Sequence, residues 1–117
     1  MNFYELTLPI GPITSHYYQR GDAQVSEEGQ AYRLEVLKAV KQVKLSKLDG
    51  RLFMIVRVHP RDKRSADMSS RIRVLKDALQ AAGAFDSAEQ VEETEVKQGP
   101  VVPGGRIDLM IGVINAR

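Results

Sequence analysis

The chain has 117 residues, enough for one domain with a single core. With 43% hydrophobic and 27% charged residues it belongs among globular chains, no apolar run nears the roughly 20 residues that cross a bilayer, and the lack of cysteine excludes disulfides, thiolate nucleophiles and cysteine-bound zinc. Net charge is only +2, so bulk charge argues neither for nor against nucleic acid, and no export signal opens the chain, which leaves the cytoplasm as the expected compartment.

Phe3 to Leu8 has the composition of a short strand, stopped by Pro9, and Ile10 to Ser15 with its Gly11-Pro12 pair reads as loop. Ser26 followed by Glu27 and Glu28 is an N-cap with first-turn acids, opening a helix expected to run to about Leu48. Tyr32, Val36, Leu37, Val40, Val43 and Leu48 give that helix an apolar face, and Lys38, Lys41, Lys44 and Lys47 drift around its other side. Asp49-Gly50 turns the chain into an apolar run, Leu52 to Val58, that predicts a central strand ending at Pro60.

A basic loop, Arg61 to Ser65, leads into a second helix. Met68, Ile72, Leu75 and Leu79 form one apolar stripe on it, Gly83 is its C-cap, and Ser69, Arg73 and Lys76 fall on its polar face. Glu89 to Lys97 is charged and weakly alternating, as an edge strand would be. Gly104-Gly105 predicts a hairpin into a last strand in which Ile107, Leu109, Ile111 and Val113 share a face. The order β-α-β-α-β-β predicts a single α/β (α+β) domain over residues 1–117, a mixed sheet covered by two helices.

Charge is unevenly placed along this plan. Between Arg57 and Arg73 there are six Lys or Arg against two Asp, and between Asp86 and Glu95 five acids and no base. Such a distribution suggests a basic surface for an anion, followed in the chain by an acidic stretch.

Particular residues add a family resemblance. Tyr4-Glu5-Leu6-Thr7-Leu8-Pro9, His16-Tyr17-Tyr18, Val25 through Arg33, His59 through Asp67, Asp77-Ala78-Leu79, Ala82-Gly83, Gln90-Val91 and Gly104-Gly105-Arg106-Ile107 follow one another in the order and spacing of the RusA family of phage and prophage Holliday-junction resolvases. The resemblance covers nearly the whole length and implies a homodimeric, Mg²⁺-dependent endonuclease that binds branched DNA at four-way junctions and cuts symmetric strands. Clustered carboxylates serve that chemistry because hard divalent cations take oxygen ligands, activate water and shield phosphate charge.

The family cluster is Asp-x-Asp-Asn at the start of the second helix, a Lys four residues beyond the second Asp, and an Asp just before the Gln-Val strand. Here the first motif reads Asp67-Met68-Ser69-Ser70, Arg73 takes the lysine position, and the downstream aspartate position falls on Ala88. Thr14-Ser15-His16 stands where the family has a loop asparagine. Asp67 and Arg73 are thus the family's catalytic positions that keep a charged group, and Asp67 with Asp86 or Glu89 is the carboxylate set from which a metal site would be rebuilt. Asp67 is also placed to be an N-cap. Arg61, Lys63, Arg64, Arg71 and Arg73 are candidate phosphate contacts, and His16, Tyr17 and Tyr18 candidate DNA contacts, with packing against the sheet as the other role for the tyrosines.

Two functional readings follow, and a third sits behind them. The chain is a RusA-like junction-binding protein whose cleavage is weak or lost, or a divergent Mg²⁺-dependent resolvase with a rebuilt site; beyond these stands a pseudonuclease repurposed to contact a protein partner.

Overall fold

The computed structural model describes residues 3–19, 24–63 and 67–114. Strand β1 (Phe3–Leu8) is followed by a short helix α1 (Thr14–Tyr17), helix α2 (Glu27–Gln42), strand β2 (Leu52–His59), helix α3 (Met68–Ala81), a 3₁₀ turn at Ala88–Gln90, strand β3 (Val91–Gln98) and strand β4 (Arg106–Val113). The four strands make one sheet in the order β1-β4-β2-β3, with β4 antiparallel to both neighbours and β3 parallel to β2. This is the mixed-sheet α+β architecture expected, with α2 and α3 packed together on one face and α1 added where loop was expected.

The core lies between that face and the helices. Leu6 and Leu8, Leu52, Met54, Val56 and Val58, then Ile107, Leu109 and Ile111 alternate inward from three strands and are buried. Tyr32, Val36 and Val40 of α2 and Val74, Leu75, Ala78 and Leu79 of α3 close over them. The opposite face is open, carrying Phe3 and Ile55 at 39% and 41% exposure.

Helix α2 begins where the sequence places it: the Ser26 hydroxyl accepts the Gly29 N–H at 3.0 Å. Gly29 is required there, because a Cβ would lie 2.5 Å from the Tyr17 carbonyl oxygen of α1. The helix ends at Gln42, short of Leu48. Lys44 takes a left-handed conformation (φ 58°), its N–H donates to Lys41 and the Leu45 N–H reaches back to Val40 at 3.1 Å. That closing motif satisfies the last carbonyls and turns the chain, so Leu45 and Leu48 are buried from an extended segment instead of a helical face.

Helix α3 runs from cap Asp67 to cap Ala82, after which Gly83 adopts φ 86° as the sequence predicts. Its stripe divides: Leu75 and Leu79 are buried, but Met68 and Ile72 are only partly so. The expected hairpin at Gly104-Gly105 does not form. After the β2-α3-β3 crossover, β3 lies on the sheet edge and β2 stands between it and β4. The connecting loop must therefore cross the end of β2, and it is held there by Gly99 N–H to the Val58 carbonyl and Val102 N–H to the Pro60 carbonyl, both 2.9 Å. A bulge at Glu92 shifts the β2–β3 register, which lets Val91 and later Thr94 and Val96 all pair beside core-facing β2 residues.

Candidate functional site

The N-terminal end of α3 collects the residues in question. The Asp67 carboxylate accepts the Ser70 N–H at 3.1 Å, so it does serve as the helix cap. Ser69 is exposed, whereas its neighbour Ser70 is buried and its hydroxyl accepts the Thr14 N–H at 2.6 Å, fastening α1 to α3. The next residue, Arg71, donates to the Gly11 carbonyl, while its buried Nε has no hydrogen-bond partner among the described residues. Burial, and then the nearby Arg61 charge, lower the Arg71 pKa from its usual value. Two guanidiniums thus repel each other at this end of the sheet. Arg61 and Lys63 are exposed in the loop after β2, and Arg64 lies outside the described residues.

Arg73, in the family's lysine position, lies over the ring of Tyr18 at 5.0 Å from its centroid. Tyr18 packs edge-on against Tyr17, 4.8 Å between centroids. The two tyrosines differ in what they offer. Tyr17 is fully buried, and its hydroxyl donates to Asp77 while accepting from Arg33 Nε at 2.9 Å; Arg33 Nη2 closes the ring to Asp77 at 2.7 Å. Its ring therefore has no free face for a base, and its place is in the packing that joins α1, α2 and α3. Burial first, then the bond to Asp77, pushes the Tyr17 phenol above its ordinary range. His16 is exposed, with its backbone carbonyl accepting from Ser26 at 2.6 Å.

Ala88 opens the 3₁₀ turn and packs on the core. The turn is tied by Ser87, whose hydroxyl accepts the Glu89 N–H at 3.2 Å, and by Gln90, whose side-chain Oε1 accepts the N–H groups of Asp86 and Ser87 at 3.0 Å each. The Gln90 amide nitrogen reaches the Leu48 and Gly50 carbonyls on the other side. This clamp sets the turn so that Ala88 packs inward and Glu89 is exposed, while Asp86 pairs with Lys47 at 2.8 Å. Among the described residues no three His, Cys, Asp or Glu come together as a metal-holding set. At the four positions that the resemblance assigns to the metal site stand the Asp67 carboxylate, which caps α3, the Ser69 hydroxyl, the Arg73 cation and the Ala88 methyl group.

No protein-family model matches the chain. It is, however, 38% identical over 117 residues to the crossover junction endodeoxyribonuclease RusA of Escherichia coli strain K12, the alignment covering 95% of each chain. The same figures hold for the crossover junction endodeoxyribonuclease of Enterobacteria phage 82, and that of Enterobacteria phage HK97 is 34% identical over 114 residues. The chain belongs to the RusA family.

Sequence reasoning missed three features of this RusA-family fold. The Arg33–Asp77–Tyr17 ring joins positions 44 and 60 residues apart, which no local pattern shows. The buried His59 is the second: its Nδ1 lies 2.9 Å from the Pro100 carbonyl and its Nε2 3.1 Å from Asp108, to which Arg106 also donates at 3.0 Å. The third is a groove between α3 and the edge strand, floored by Met68, Ile72 and Val96. A signal for it existed in Met68 and Ile72, which the stripe assigned to the core. None of the described helices is long and apolar enough to cross a membrane.

Proposed function

We propose that this chain is a RusA-family protein that binds four-way junction DNA with the basic end of the sheet around α3, and that strand cleavage is weak or lost. The observation that carries the reading is concentrated positive charge beside a helix start where, among the described residues, no three His, Cys, Asp or Glu come together to hold a metal. Arg61, Lys63, Arg71 and Arg73 gather around the start of α3, and Asp67 alone of the family's carboxylate positions keeps a carboxylate. Cations of this kind hold phosphates without needing a metal. A homodimer with an isologous interface would present two such ends to a two-fold symmetric junction. Arg64 and His16 are further contacts in this reading, as is Tyr18, which retains a partly exposed ring. The site of action would be the cytoplasm, where the DNA lies.

If the relatives' metal dependence persists here, Mg²⁺ would have to be held by Asp67 with Asp86 or Glu89, and two of these are already engaged elsewhere. That engagement favours binding without cutting.

The test is binding of labelled four-way junction and of plain duplex, each in Ca²⁺, over a salt series. Tight binding with preference for the junction is expected, with log affinity falling by about 0.9 per phosphate contact for each unit of log salt on the duplex arms. Affinity that is absent, or flat with salt, would remove DNA and leave the protein-interaction reading.

A further inference from the structure

We infer that the groove between α3 and β3 receives an unstacked base of the bound DNA, with Arg73 and Lys76 taking the phosphate beside it; this rests on the junction-binding reading above. The groove has a volume of about 480 Å³, within the range of sites that take small ligands. Its floor is apolar, made by Met68 and Ile72 of the helix and Val96 of the strand, with Thr94 alongside. Its rim holds Ser69, Arg73 and Lys76, and among the described residues no carboxylate lines it. The rim owes this to Ser69, since the family motif places an aspartate at that position, whose charge, unless a bound metal shields it, would repel a nucleotide.

Both walls are open for an occupant. Strand β3 is the sheet edge, so among the described residues nothing in the sheet lies beyond Thr94 and Val96. Along β3 the acids Glu93 and Glu95 pair in register with Phe53 and Ile55 of the open face, whereas Thr94 and Val96 pair with the core residues Met54 and Val56. Glu93 and Glu95 therefore point away from the groove. Met68 and Ile72 are apolar side chains left partly exposed on an otherwise buried stripe.

Charge selects among the occupants. An apolar peptide side chain would use the floor and leave Arg73 and Lys76 without counter-charge. A second copy placed by a two-fold axis over the groove would set these cations against their own images, which costs energy. A nucleotide supplies a flat apolar base for the floor and an anion for the rim. Arg73 is already positioned by the Tyr18 ring, and a guanidinium held this way accepts a base on its plane as well as a phosphate at its edge.

The experiment uses the full chain and a synthetic four-way junction carrying 2-aminopurine at the branch point, in Ca²⁺. Binding should raise the 2-aminopurine fluorescence as the base leaves the stack. Val96→Trp, which fills the groove from an edge strand that tolerates aromatics, should abolish that rise and weaken junction affinity about tenfold, in line with base-stacking contributions. Duplex affinity and its salt slope should not change, since the filled residue is not a cation. Thr94→Phe serves as the second filling variant should Val96→Trp fail to fold by circular dichroism. Tight, salt-sensitive junction binding with no change in 2-aminopurine signal would overturn this inference alone. Unaltered junction affinity in both filled variants would do the same, as would a change in oligomeric state, which would make the groove a contact between copies. Absence of any junction binding would overturn it together with the reading it rests on.

Discussion

The Arg73 guanidinium lies 5.0 Å from the centre of the Tyr18 ring, so the residue that stands in the family's lysine position is held by an aromatic platform from α1's end of the chain. A lysine there would be a mobile point charge; the planar guanidinium is stacked and pre-aimed. If this contact orients Arg73 toward DNA, Tyr18→Phe should leave junction affinity nearly unchanged, because the ring remains. Tyr18→Ala should weaken it about two- to fivefold, the scale of an exposed cation–π contact, and Arg73→Gln should weaken it further. Fluorescence anisotropy with labelled junction reads all three.

How far the sequence revealed this arrangement depended on the range of the contacts involved. The Ser26 cap, the alternation of Ile107, Leu109 and Ile111, and the Gly83 cap are local, and each lies where the pattern places it. Tyr17 and Tyr18 are adjacent in sequence yet one is buried and the other is not, because the four-residue helix α1 turns Tyr17 toward Asp77, 60 residues away. The hairpin expected at Gly104-Gly105 failed for a similar reason: a turn signal says that the chain reverses, not which strand it rejoins. The groove was hidden by the bulge at Glu92, which breaks the alternation that would have shown Thr94 and Val96 sharing a face with Val91. The reading that Ser69 and Ala88 replace family carboxylates rests on the family's spacing alone.

Neighbouring serines give a second prediction. Ser70→Ala removes the acceptor of the Thr14 N–H, leaving a backbone donor unpaired, and should cost about 1–3 kcal/mol. Ser69→Ala, on the exposed side, should stay within about 0.5 kcal/mol of the parent. Asp67→Ala should cost about 1 kcal/mol through loss of the cap, and Asp67→Ser much less, since serine caps equally well. Urea unfolding monitored by circular dichroism distinguishes these.

Alkaline behaviour follows from the two buried phenols. Burial leads in raising both Tyr17 and Tyr32 above their usual value, with the Asp77 bond adding to the former. A raised acid pKa means that the folded state keeps its proton longer than the unfolded chain does. The stability this provides is therefore complete below about pH 10 and is lost as pH rises past the unfolded value, by up to about 1.4 kcal/mol per pH unit for each phenol. Tyr32→Phe gives up only its bond to the Pro9 carbonyl and should flatten the fall in stability between pH 10 and 11.5, which thermal melts across that window would record. An unchanged slope would assign the alkaline loss to other groups.

That the fold presents a junction-binding surface while its carboxylate set is incomplete is tested by cleavage of a labelled four-way junction in Mg²⁺ or Mn²⁺. The chain should bind the junction without nicking it, and Ser69→Asp combined with Ala88→Asp should restore paired, symmetric nicks on the same scaffold. Paired nicks by the unaltered chain that vanish in Asp67→Asn, and also in Asp86→Asn or Glu89→Gln, would contradict it and establish a rebuilt metal site.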